Sequence, residues 1–304
     1  MLRRGIVSFC RQNLGFTQRG QPPVTISIMT STLDHDVKAG LQERLDAAHD
    51  MARAAGDILR HYFASQNFSV EDKADGSPVT TADREAEASI RSAIDVAFPG
   101  DGLLGEEYGE SEAQSTTGYR WVIDPIDGTI AFVHGVPLLG TLIGIEYDNA
   151  PLAGLIEMPM LHERAWALRG SGAWHQVGDA KPVQAMVSTT TSLDQSMVCT
   201  TSFDYYREHG YPEAYVALGH ACRRTRGWND CYSELLLCTG RIDAVVEPEL
   251  KRWDIGAIIP ILQEAGGRYS DWSGQHVGDP GTPRGIASNG HLHDELVHLL
   301  KAWG

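Results

Sequence analysis

The sequence predicts a layered α/β (α+β) protein made of two closely packed halves, and three observations carry that expectation. Two stretches with helical apolar spacing follow residue 34. Residues 138–178 then alternate short β-like runs with turns. Past Lys181, strand-like and helix-like runs alternate to the end. Such alternation is the mark of an α/β layered half, while the hairpin-rich part is typical of α+β. The expected boundaries are 34–180 for the first half and 181–304 for the second, with a site shared between them.

At 304 residues, 42% hydrophobic and 21% charged, the chain has the composition and length for a sizeable core. A net charge of −15 argues against a nucleic-acid partner, because no basic stripe is present. Bound divalent cations can still reverse the local sign and hold a phosphate. No run of about eighteen apolar residues occurs, so no membrane span is expected. The five cysteines (Cys10, Cys199, Cys222, Cys231, Cys238) are odd in number and form no CxxC pair. They read as buried free thiols in a reducing compartment, with a cytoplasmic location. Residues 1–33 carry Arg3, Arg4, Arg11 and Arg19 and no acidic residue. That composition fits either an organelle-targeting leader or an upstream start codon with Met29 as the true beginning. Disorder and no functional role are expected there.

Apolar residues Leu41, Leu45, Ala48, Met51, Ala55, Ile58, Leu59 and Tyr62 mark a first helix over 37–65, capped by Asp34 or Asp36. A DGSP turn leads to a second helix, capped by Thr80 or Thr81, with Asp83 near its start and an end near Phe98. Leu103 and Leu104 make a short strand ahead of Gly105, Glu106 and Glu107. Trp121, Val122 and Ile123 read as a buried strand stopping at a rigid turn, Asp124-Pro125-Ile126-Asp127-Gly128-Thr129. Beyond the hairpins come a strand at 196–202, a helix from Tyr211, a short helix closed by Gly240, a strand before Pro248, one helix over 253–267, two short strands and a terminal helix. Pro260 either kinks the 253–267 helix or marks its late start.

The 124–129 turn delivers two carboxylates, a glycine amide and a hydroxyl to one point. Oxygen ligands of this kind suit a hard cation such as Mg²⁺, and a metal beside an anion cradle serves phosphoryl chemistry. Taken alone, it is also an ordinary DPxDG turn. Glu106–Glu107 is either a solvated pair or a metal-side group. Asp83, Glu106, Asp124, Asp127 and Asp254 all fall at ends of elements, where open α/β folds place ligands.

The segments GEE (105–107), WVIDPIDGT (121–129) and WDIGAIIPILQEAGG (253–267), in this order and spacing, resemble the inositol monophosphatase family of metal-dependent phosphatases. The resemblance covers roughly residues 38–302. It implies an αβαβα sugar-phosphatase fold, hydrolysis of a small phosphate monoester, two or three Mg²⁺ ions with Mn²⁺ as a substitute, and a homodimer. Position by position, it implies Glu106, Asp124, the Ile126 carbonyl, Asp127 and Asp254 as metal ligands. Asp83 and Thr129, with Glu106, orient the attacking water, and Gly128 and Thr129 contact phosphate. Lys73 matches a basic residue near the metals.

The segments KADGSPVTTADREAE and DCY (230–232) resemble the histidinol-phosphate phosphatase branch of that family. Asp230 and Glu247 would then pair with an ammonium and an imidazole. Asp230 could equally cap a helix before Cys231. Arg226 either reaches the phosphate or is a surface arginine on a strand edge. The alternatives are an inositol-1-monophosphatase or broad sugar monophosphatase, a phosphatase of bisphosphorylated adenosine, and a non-catalytic binding protein of the same fold. The full acidic set argues against the last.

Overall fold

The computed structural model describes residues 33–111, 115–228, 230–275 and 284–304. The expectations for the leader, including Cys10, concern residues outside these, apart from Leu33. In chain order the elements begin with α1 (His35–Ser65), β1 (Val70–Asp72), β2 (Pro78–Thr80), α2 (Thr81–Ala97), β3 (Gly102–Gly105) and β4 (Gly109–Glu110). Next come β5 (Tyr119–Asp127), α3 (Thr129–Val133), β6 (Gly140–Tyr147), β7 (Ala150–Met158), β8 (Glu163–Leu168), β9 (Ala173–Val177) and β10 (Val183–Gln184). The remainder is β11 (Met197–Cys199), α4 (Phe203–Glu208), α5 (Pro212–Ala221), β12 (Arg224–Arg226), α6 (Asp230–Cys238), β13 (Ala244–Glu247), α7 (Arg252–Gly256), α8 (Ile258–Glu264), β14 (Arg268–Ser270), β15 (Gly285–Ser288) and α9 (His293–Leu300).

Among the described residues β1 and β2 form a small two-stranded sheet, and two larger sheets organise the other elements. The larger runs β10-β9-β8-β7-β6-β5-β3-β4 and the smaller β12-β11-β13-β15-β14. The period-two alternation of strands sends neighbouring residues to opposite faces, and here it separates three cores. Ile143 and Ile145 of β6 face Leu41, Leu45, Ile90 and Ile94 of α1 and α2. Leu142 of β6 faces the other way, toward Leu235 of α6 and Ile258 and Ile261 of α8. Val245 of β13 meets that same middle layer, whereas Ala244 and Val246 face Tyr206, Leu218 and Leu296 of α4, α5 and α9. The order is therefore helices, large sheet, helices, small sheet, helices, the expected αβαβα arrangement.

The helix expected over 253–267 is broken into α7 and α8 at Ala257. Pro260 supplies the reason. It has no N–H for the Gly256 carbonyl four residues back, and its ring crowds that carbonyl. The break rests on the large sheet at unusually short range. A Cβ on Gly144 would lie 2.6 Å from the Gly256 carbonyl carbon, and one on Gly154 would collide with the Ala257 carbonyl oxygen. Arg252, the first residue of α7, is tied to β6 through Glu146, donating to Oε1 at 2.9 Å while Arg120 donates to Oε2 at 2.9 Å. Glu146 is only 3% exposed, so these two guanidiniums compensate a buried charge. The start of α7, which carries Asp254, is thereby fixed to β6, an interior strand of the large sheet. Among the described residues Cys199, Cys222, Cys231 and Cys238 are buried free thiols, and no helix is long and apolar enough to cross a membrane.

Candidate active site

β3 and β5 are parallel, with Gly105 paired to Ile123, so both release their next residues at the same end. Glu106 follows β3, and its N–H donates to the Ile123 carbonyl at 3.1 Å, beside Asp124. The carboxyl ends of parallel strands are the usual ligand edge of such sheets.

The strand does not stop at Asp124 as expected. β5 continues through the motif to Asp127, pairing Asp124 with Leu142 and Asp127 with Gly140, with a register shift between them. Pro125 has no N–H for the ladder, so the strand bulges there, and bulges re-aim side chains. The Thr141 hydroxyl donates to the Pro125 carbonyl at 2.9 Å and fixes the bulge. Gly128 follows at φ 100°, in the left-handed region that suits glycine. It opens the short helix α3, which sequence reasoning did not anticipate.

Helix N-termini hold three of the carboxylates. First-turn N–H groups have no partner within their own helix, so a carboxylate placed there is bound firmly. Asp83, fully buried, accepts at Oδ2 from the Thr80 N–H at 2.7 Å and from its hydroxyl at 2.6 Å. Asp254 accepts at Oδ2 from the Lys251 N–H at 2.6 Å. Asp127 accepts at Oδ2 from the Cys231 N–H at 2.7 Å, in the first turn of α6. Thr129 links two of these groups, its Oγ1 lying 3.1 Å from Asp83 Oδ1 and 3.1 Å from the Ile126 carbonyl.

Glu106 and Glu107 share one cation. Lys73 Nζ, between β1 and β2, donates to Glu106 Oε1 at 2.7 Å and to Glu107 Oε1 at 2.7 Å. Burial alone would lower that ammonium, but the two carboxylates outweigh it and hold it above its ordinary range. Glu107 is pushed up to about 7 by burial, against the pull of Lys73. Glu87, fully buried, secures the loop by accepting the Glu107 N–H at 2.7 Å. A Cβ on Gly105 would collide with the Glu87 carboxylate, so glycine is required there.

The charges are strongly frustrated. Burial, then Glu106, Asp127 and Asp254, raise the Asp124 carboxyl far above its ordinary range. Burial, then Asp230 and Asp254, do the same to Asp127, with the Cys231 N–H opposing. Asp254 rises to about 7 through burial and the charges of Glu106 and Asp230. Asp124 is 2% exposed, and its Oδ1 has no hydrogen-bond partner among the described residues. Among the described residues no group of three or more acidic, imidazole or thiol side chains is already drawn together closely enough to hold a metal ion, although the carboxylates act on one another electrostatically. An orphaned buried carboxylate oxygen amid mutually repelling carboxylates fits a hard divalent cation and suits few other groups.

Asp230 opens α6 at φ 52°, and its Oδ2 lies 3.1 Å from where a Gly128 Cβ would stand. It is exposed to solvent, but protein crowds its carboxyl from the other sides and raises it to about 6. The N–H of Cys231 is bonded by Asp127, not by the preceding Asp230. Glu247, at the end of β13, accepts the Thr201 N–H at 3.4 Å, and burial, Asp230 and Glu234 raise its carboxyl. Arg226 ends the edge strand β12, is exposed, and donates to the Thr225 carbonyl at 2.8 Å.

Sequence reasoning missed Glu87, Tyr205, Glu234 and Tyr269. Tyr205 of α4 is raised by burial and by the charges of Glu247 and Asp254, so it lies within electrostatic range of both. Glu234 carried a legible signal: it is a carboxylate four positions after Asp230 in an otherwise apolar run.

The inositol monophosphatase family profile matches residues 40–303. The chain is 36% identical over 252 residues to the histidinol-phosphatase of Mycobacterium tuberculosis, spanning 83% of this chain and 95% of that one. It is 41% identical over 231 residues to the histidinol-phosphatase of Chlorobaculum parvum, with 76% and 86% covered. The extragenic suppressor protein suhB of Bartonella henselae superposes with a TM-score of 0.78 at 28% identity, covering 85% of this chain and 98% of that one. A match over nearly all of the described chain, on a fold whose bulged strand and helix ends gather the acidic groups, has one meaning: the protein belongs to the inositol monophosphatase family and is a phosphoric monoester hydrolase.

Proposed function

We propose that the enzyme is a Mg²⁺-dependent histidinol-phosphate phosphatase, hydrolysing a phosphomonoester of a cationic amino alcohol to histidinol and phosphate. The observation that carries this reading is the position of Asp230, its carboxylate against Gly128 and its charge felt by Glu247. Uncompensated negative charge beside the phosphate platform favours an ester bearing an ammonium and an imidazole. A neutral polyol would leave those carboxylates unpaired, which is costly. The histidinol-phosphatases among the relatives support the same choice.

The family is metal-dependent, typically on Mg²⁺. Glu106, Asp124, the Ile126 carbonyl, Asp127 and Asp254 would hold two or three ions, with Mn²⁺ as a substitute. When bound, Mg²⁺ neutralises the phosphoryl and leaving oxygens and acidifies water. The protein's own groups do the positioning. Thr129 Oγ1 donates to Asp83 Oδ1, which leaves its lone pairs free to orient a water for in-line attack, and Asp83 takes up the proton. The Gly128 and Thr129 amides cradle the phosphate, Asp230 and Glu247 hold the cationic end, and Arg226 is the outlying phosphate contact. The working unit is a homodimer, as is usual in the family.

Phosphate release from histidinol phosphate and from inositol 1-phosphate, each with Mg²⁺ and with EDTA, tests the reading. Higher kcat/KM for histidinol phosphate, lost in EDTA, is expected. Equal or better turnover of the inositol ester would overturn the substrate, and activity surviving EDTA would overturn the metal role.

A further inference from the structure

We infer that Glu234 is a further specificity-determining residue: with Glu247 and the Tyr269 hydroxyl it forms a second anionic subsite, one helical turn behind Asp230, for a nitrogen-borne cation of the substrate. The inference rests on the cationic-substrate reading above and deepens it.

Residues four apart share a helix face, so α6 presents Asp230 and Glu234 along one line. Cys231, Leu235 and Cys238 of the same helix are sunk in the middle layer. Glu234 is thus a half-buried carboxylate at the border of an apolar layer. Its Oε2 is buried and has no hydrogen-bond partner among the described residues.

Tyr269 makes an independent second observation. The residue is 3% exposed, and its hydroxyl is also buried without a partner among the described residues. Sheet register shows where that hydroxyl points. Glu247 of β13 pairs directly with Gly285 of β15. Directly opposed residues in an antiparallel pair project to the same face, with Cβ atoms roughly 5 Å apart. Gly285 has no side chain, and the Tyr269 hydroxyl occupies the space its Cβ would take. The hydroxyl therefore stands beside the Glu247 side chain, on the face that meets α6. Both Glu247 and Tyr269 lie within reach of the Glu234 charge.

Burial raises Glu234 to about 8. Among the described residues Glu234, Asp230 and Glu247 make no ion pair with a basic side chain. Tyr205 of α4 lies within electrostatic range of Glu247 and Asp230. Buried polar atoms are ordinarily satisfied, so an unpartnered carboxylate oxygen and an unpartnered hydroxyl within electrostatic range of each other call for a polar group from outside the chain. A phosphomonoester with two nitrogen centres can meet Asp230 with one and Glu234 with the other. A neutral polyol phosphate cannot.

The test compares wild type with Glu234→Gln, which keeps shape, and Glu234→Asp, which keeps charge. Steady-state kinetics are measured on histidinol phosphate and on inositol 1-phosphate, with circular dichroism and melting as fold controls. The Gln variant is expected to lower the kcat/KM ratio of histidinol phosphate to inositol 1-phosphate by about tenfold, mainly through a raised KM, the effect of one charged hydrogen bond. The Asp variant should keep most of the ratio. A ratio in the Gln variant within about threefold of wild type, or an Asp variant that loses as much as Gln, overturns the role of Glu234. A wild type with no preference for histidinol phosphate is a different result, and it removes the substrate reading itself.

Discussion

Asp127 accepts the backbone N–H of Cys231 at 2.7 Å, so a carboxylate of the large sheet caps a helix of the middle layer. Asp124, in the same bulged strand, has no comparable partner at Oδ1 among the described residues. Two acidic groups three positions apart therefore have opposite structural consequences.

Removing each should separate function from stability. Asp127→Ala should abolish phosphate release and also destabilise the metal-free protein by about 1 kcal/mol through the lost cap. Asp124→Asn should abolish phosphate release yet raise the melting temperature in EDTA, because it relieves repulsion from Glu106, Asp127 and Asp254. Added Mg²⁺ should raise the wild-type melting temperature and leave that of Asp124→Asn nearly unchanged. Thermal melts with and without Mg²⁺ check both; an Asp124→Asn enzyme with near-wild-type turnover at saturating Mg²⁺ would remove Asp124 from the metal set.

Stability in EDTA should depend on pH in a stated direction. Asp254 is raised to about 7 and Glu234 to about 8, both through burial. A raised carboxyl binds its proton more tightly in the folded chain. Its contribution is fully present below the unfolded value, near 4, and is lost as pH rises through the folded one. His49 acts in the opposite sense: burial and nearby Arg164 and Arg53 lower it to about 4, so it costs stability below about 6.5. The carboxyls outnumber it, and the melting temperature in EDTA should rise from pH 8 to pH 5.5. Saturating Mg²⁺ should flatten that slope, since a cation replaces protons at Asp254. A melting temperature in EDTA that falls over this range would contradict the assignment.

A mutation in the sheet should disable the site indirectly. A Cβ on Gly154 collides with the Ala257 carbonyl, at the break that positions α7. Gly154→Ala should cost about 1–3 kcal/mol by overpacking and should weaken Mg²⁺ dependence by displacing Asp254. Urea melts and Mg²⁺ titration of activity measure the two effects, and an unchanged Mg²⁺ response would show that Asp254 is held independently of the sheet contact.

The element types and the reaction were legible in the chain because they depend on local information. Period-two and helical apolar spacing marked the hairpins, α1, α2 and α9, and Gly240 and Thr80 marked an end and a start. The 121–129 motif carried the acidic ligand types together, since Pro125 and Gly128 constrain backbone over a few residues only. Its conformation was not legible. A turn was expected, and a bulged strand formed, because pairing with β6 supplies hydrogen bonds that an isolated turn lacks.

The rest depended on residues distant in sequence. Whether Asp83, Glu106 and Asp254 meet Asp124 is decided by parallel pairing of β3 with β5, by the Thr129–Asp83 bond and by glycine contacts beneath α7. The subsite of Glu234, Glu247 and Tyr269 exists only because Glu247 is registered against a glycine and α6 packs over that face. By itself the sequence determined the chemistry available and the local shapes. Tertiary structure decided which charges share one desolvated space, because burial and electrostatic coupling are set by proximity in space and leave no period in the chain.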